Sequence, residues 1–89
     1  MNDVPEISRF YGIVVRMYSR GEHPPPHFHV HYGEYRASVS IDDLDMLEGD
    51  LPPRARKLIR EWARAHQREL RDNWRRAQAH EPVLPVDPL

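Results

Sequence analysis

His27-Phe28-His29-Val30-His31-Tyr32-Gly33-Glu34-Tyr35-Arg36-Ala37-Ser38-Val39-Ser40-Ile41 is the stretch that decides the fold. Two runs of alternating polarity flank Gly33-Glu34, a two-residue connection of the Gly-X type that favours a II′ hairpin turn. A two-residue loop pairs Tyr32 with Tyr35, Val30 with Ala37 and Phe28 with Val39. On the opposite face it pairs His31 with Arg36, His29 with Ser38 and His27 with Ser40. In this register the apolar side chains share one face and the polar ones the other. A slip of one residue would mix them. The hairpin is therefore expected to bury Phe28, Val30, Ala37 and Val39 and to turn three imidazoles outward.

Upstream, Phe10 to Tyr18 is rich in β-branched and aromatic residues and reads as a strand with Tyr11, Ile13, Val15 and Met17 on the core side. Ser19 to Pro26 reads as a loop, because Gly21 and the three prolines Pro24, Pro25 and Pro26 cannot continue a ladder. Downstream, a turn at Asp42-Asp43 precedes a short strand near Asp45 to Glu48. From Asp50, read as an N-cap with Pro52 and Pro53 in the first turn, the pattern is helical to Ala79. Ala55, Ile59, Trp62, Ala63, His66, Leu70, Asn73 and Ala77 gather on one side, with Trp74 at the edge. An unbroken helix of that length would run about 40 Å. That is too long for a domain this small to cover, so the region reads either as one helix or as two with a kink or break near His66-Gln67.

The expectation is thus one α+β domain over 1–89, a three- or four-stranded antiparallel β-meander with one or two C-terminal helices packed on one face. Its parts are an N-terminal arm (1–9), the meander (10–49), a helical region (50–79) and an extended tail (80–89). With 89 residues and no cysteine, disulfides and thiolate metal sites are excluded, and a reducing, cytoplasmic setting is the expectation. The longest apolar run, Ile13-Val14-Val15, is far too short for a membrane span, and no signal segment is read at the N-terminus.

The formal net charge of −1 conceals an asymmetry. Residues 1–51 carry four Lys/Arg against nine Asp/Glu, and residues 52–79 carry nine against three. Lys57, Arg60, Arg64, Arg68, Arg71 and Arg75 fall within about 80° on the helical wheel. Arg36, Arg60, Arg64, Arg68 and Arg71 form a candidate binding surface for a small protein partner, a second copy of the chain or nucleic acid. The plain alternative is a solvated helix face whose charge answers the acidic half.

Four histidines within nine residues carry the other chemical signal. His27 and His29, at i and i+2 on a strand, lie about 7 Å apart at Cβ and can converge on one ion. Three prolines in polyproline geometry would hold His23 about 9 Å away along the chain. His23, His27 and His29 are the candidate ligands of a divalent transition metal such as zinc or nickel, with Glu22, Asp42 and Glu48 as oxygen donors in reserve. The alternative is the ordinary polar face of a half-solvated sheet. No nucleophile–base pair is visible, so the sequence assigns no reaction.

Two resemblances bear on this. His27-Phe28-His29-Val30-His31 looks like the signature of the histidine-triad nucleotide hydrolases, but Gly33 stands where that motif continues with an apolar residue. Broader is the combination of Pro5 to Ile13, His23-Pro24-Pro25-Pro26-His27-Phe28-His29-Val30, Tyr32-Gly33-Glu34-Tyr35, Leu47-Glu48-Gly49, Leu51-Pro52, Glu61-Trp62-Ala63 and Asn73-Trp74. It resembles a family of small prokaryotic proteins known as domain of unknown function 4160. That resemblance implies no activity. It implies a neighbouring small protein as partner, in a two-gene arrangement similar to toxin–antitoxin pairs, and it centres on His23, His27 and His29 rather than His31.

Overall fold

The computed structural model describes residues 5–18 and 22–89. Its sheet has five antiparallel strands in the order β1-β2-β3-β4-β5, so each strand pairs with its neighbour in sequence. They are β1 (Glu6–Phe10), β2 (Ile13–Arg16), β3 (His27–Tyr32), β4 (Tyr35–Ser40) and β5 (Met46–Gly49). Two helices follow, α1 (Pro53–Ala65) and α2 (Gln67–Gln78). The α+β meander holds, but with five strands instead of three or four.

The extra strand lies where the sequence reading placed an arm and an unbroken strand. Tyr11 and Gly12, at φ 50° and 80°, close a two-residue turn between Phe10 and Ile13. Both residues lie in the left-handed region, as a type I′ turn requires. Tyr11 is consequently 64 % exposed and not a core residue, whereas Ile13, Val15 and Met17 are buried as expected. Residues 1–4 of the arm, and Ser19 to Gly21 of the loop, lie outside the described residues.

The β3–β4 hairpin has the expected register, from His27↔Ser40 to Tyr32↔Tyr35. Gly33 takes a positive φ of 56°, and Glu34 does not, in keeping with a II′ turn. Between β4 and β5 the register shifts at Ser38/Val39. There Gly49, at φ 79°, lies so close to β4 that an added Cβ would meet the Arg36 carbonyl oxygen at 2.0 Å.

The helices cover the apolar face. Trp62 is fully buried and packs against Phe10 and Phe28 at ring-centroid distances of 5.5 and 5.8 Å. Ala55, Ile59, Ala63, Leu70 and Asn73 are buried with it. The helical run breaks at His66, whose φ of −124° separates α1 from α2. Gln67 then fastens the new helix to the β4–β5 turn, donating to the carbonyls of Ile41 (2.8 Å) and Asp42 (3.2 Å). Pro52, not Asp50, is the N-cap of α1, and no side chain caps it. Asp50 instead accepts from Arg56 at 2.9 Å.

The tail is extended but docked. The Asn73 amide both donates to and accepts from the Leu84 backbone at 2.8 Å, which is how a polar side chain sits in the apolar stripe without an unmet hydrogen bond. Val86 is buried and donates to the Ile7 carbonyl at 2.7 Å, and the Trp62 indole donates to the Asp87 carbonyl at 2.8 Å. Among the described residues, no helix is long and apolar enough to cross a membrane.

A candidate metal centre at the start of the histidine strand

Because β3 alternates, Phe28 and Val30 enter the core and His27, His29 and His31 stand on the opposite face. Just before the strand, the chain passes through Pro24, Pro25 and Pro26, with a cis Pro24–Pro25 bond. Glu22 lies beside the first two histidines. Its Oε1 is 2.7 Å from His27 Nε2 and 2.5 Å from His29 Nε2. Metal-ligating atoms of Glu22, His27 and His29 all lie within 4.8 Å of one another.

The three side chains are largely sheltered, at 22 %, 11 % and 20 % exposure respectively. Trp74 of α2 packs on the His27 ring at 5.1 Å, and Tyr18 on the His29 ring at 4.3 Å. The sequence alone suggested an open polar face. Aromatic rings from outside the hairpin cover it instead.

The ring nitrogens have distinct partners. His27 Nδ1 donates to the Pro25 carbonyl at 2.8 Å, which leaves Nε2 as the nitrogen facing Glu22. In the neutral tautomer this Nε2 bears a lone pair, and a lone pair opposite a carboxylate oxygen is repulsive. The contact is favourable only with a second proton on the ring or with a cation between the two groups. A backbone carbonyl fixing one ring nitrogen while the other faces the ion is the usual outer arrangement of a metal-bound histidine. His29 Nδ1 has a longer contact, 3.4 Å, with the Ser38 hydroxyl.

The ligand set matches a zinc-type site of two imidazoles and one carboxylate. Tetrahedral zinc at about 2.1 Å from each ligand separates them by about 3.4 Å, wider than the two Glu22 contacts, so Glu22 must withdraw to admit an ion. The carboxyl of Glu22 is held below its ordinary value. Burial pushes it up, but hydrogen bonds from His29 and His27 and their charges outweigh that effect. An anionic oxygen is what a cation needs.

His31 stands outside this set. Burial pushes its pKa down, aided by the charges of Arg36, Arg16 and His29. His23 is exposed and is not in the group either. Of the reserve oxygen donors, only Glu22 joins His27 and His29 in one ligand group, Glu48 lies beyond Ser38 in the His29 row, and Asp42 pairs with Arg71 at 3.0 Å. The candidate arginine surface divides as well. Arg60, Arg64 and Arg68 are exposed on the helices, Arg71 is engaged with Asp42, and Arg36 stands on β4 opposite His31. The contributions of Trp74 and Tyr18 were not read from the sequence. Trp74's position at the edge of the apolar stripe was the available signal.

Comparison with curated proteins and with solved structures gave no match. A family match spans residues 12–75, which includes Glu22, His27, His29 and Trp74. The chain belongs to the family described as Domain of unknown function (DUF4160).

Proposed function

We propose that this domain binds a divalent transition metal, zinc or nickel, through Glu22, His27 and His29. The carrying observation is the double contact of Glu22 Oε1 with two Nε2 atoms while His27 Nδ1 is already committed to a carbonyl. Two imidazole nitrogens and a carboxylate suit these ions better than calcium or magnesium, which prefer all-oxygen shells. Three protein ligands leave a fourth position open in tetrahedral geometry, the arrangement of catalytic rather than structural zinc. The ion would supply a Lewis acid there. The protein's share is to aim the nitrogens and shelter them beneath Trp74 and Tyr18.

Elemental analysis and calorimetry on tag-free protein test this. One zinc or nickel per chain is expected, with loss of at least about 100-fold in affinity in His29→Ala, beyond the 10–100-fold typical of outer-shell changes. Substoichiometric metal, unchanged on adding zinc or nickel, would sink the proposal.

A second reading rests on a separate observation: Arg64 and Arg68 are exposed and form no ion pair among the described residues. They suit an acidic protein partner or nucleic acid, as expected of an interaction module in a two-gene, toxin–antitoxin-like system. Binding should weaken steeply as salt rises, and Arg64→Glu with Arg68→Glu should abolish it. Salt-independent binding would count against this surface.

A further inference from the structure

A groove of about 280 Å³ opens beside the metal ligands, lined by Tyr18, His29, His31, Arg36, Ser38 and Glu48. The sheet builds it directly. Arg16, His29, Ser38 and Glu48 are successive partners across β2, β3, β4 and β5, and His31 faces Arg36 in the adjacent row. We infer that this groove binds a small oxyanion, phosphate or carboxylate, which rests on Arg36 and reaches the metal's open position. The inference rests on the metal site proposed above and names the class of ligand that completes it.

Four features support it. His29 belongs to both the metal group and the groove wall, so the groove begins beside one of the three metal ligands. Arg36 makes no ion pair among the described residues, and its guanidinium fork matches two oxygens of a phosphate or carboxylate. The volume lies at the foot of the roughly 300–1,000 Å³ range of small-molecule sites, so the ligand is small. Tyr18 and Ser38 add hydroxyl groups able to donate to its oxygens. Glu48, exposed on the β5 side, works against an anion and is the built-in control.

The test is titration of inorganic phosphate into tag-free protein loaded with one zinc and dialysed free of excess, read by calorimetry and by amide shifts of residues 29–38. Expected are saturable binding, at least tenfold weakening in Arg36→Gln, tightening in Glu48→Gln, and weakening when zinc is stripped. Carboxylate and phosphate sources are separated by repeating the titration with acetate. Stoichiometric zinc with no saturable binding of either anion, or with equal binding by Arg36→Gln, overturns the groove inference and leaves the metal site standing. Failure to take up zinc overturns both. Arg36 is exposed, so its substitution should leave the circular dichroism spectrum unchanged.

Discussion

Two regions of this molecule are crowded with polar groups, and they differ in how those groups meet. At the start of β3, Glu22, His27 and His29 converge on a single carboxylate oxygen, sheltered by rings from α2 and from the segment after β2. Along α1 and α2 the charges are more numerous but spread out. Asp72 pairs with Arg75 and Arg76 on its own helix, and Arg71 reaches Asp42 at the surface. Local pairs of exposed side chains form cheaply and contribute little. Convergence of sheltered polar groups costs desolvation, which only close mutual contacts or a bound ion offset. Convergence and shelter, rather than the number of suggestive residues, mark the candidate site.

The strongest way to break this comparison is to remove the shelter. Trp74 is half-buried against the core and lies on His27. Trp74→Ala should destabilise by about 2 kcal/mol, below the 3–5 kcal/mol of a fully buried tryptophan, and weaken zinc binding roughly tenfold by freeing His27. Chemical denaturation and zinc titration read the two effects separately. A stability loss with unchanged zinc affinity would show that Trp74 serves only the core.

Acid titration sharpens the comparison next. The Glu22 carboxyl lies below its ordinary value of 4.5 in the folded chain. A group depressed on folding adds stability above its unfolded value, and that stability is lost as pH falls through the folded value. The advantage of the native chain over Glu22→Gln should therefore be present above pH 4.5 and shrink below it. Urea midpoints of metal-free protein at several pH values check this. A pH-independent gap would mean that Glu22 acts only through its shape.

How much of this was legible beforehand depends on periodicity. The β3–β4 register followed from strict alternation around Gly33-Glu34, since any slip would have buried imidazoles. Helix length against domain size pointed to His66-Gln67 as the place for a break but left one helix or two open, and the break is at His66. The β1–β2 turn escaped because tyrosine in the left-handed region is uncommon, and because the register shift between Glu6 and Ser8 disturbs alternation in β1. His27 and His29 were nameable from the strand. Glu22 could be no more than one acid among three, because a proline turn has no period to project it. The docked tail was invisible for the same reason: Asn73 and Trp62 hold it by bonds to backbone carbonyls, which no side-chain pattern encodes.

The smallest expected effect probes the other side of the comparison. Arg71 and Asp42 meet at 3.0 Å with side chains 54 % and 60 % exposed, the most distant ion pair in sequence among those described. An exposed pair of this kind contributes roughly 0–1 kcal/mol, because water screens it and two long side chains lose freedom in making it. Asp42→Asn removes the charge, and the Gln67 bonds to the Ile41 and Asp42 carbonyls persist, since they involve backbone oxygens. A double-mutant cycle with Arg71→Gln should thus give a coupling under about 1 kcal/mol that fades toward zero in high salt. A larger, salt-resistant coupling would mean that the helix charges also converge, and that the distinction between the two regions is one of degree.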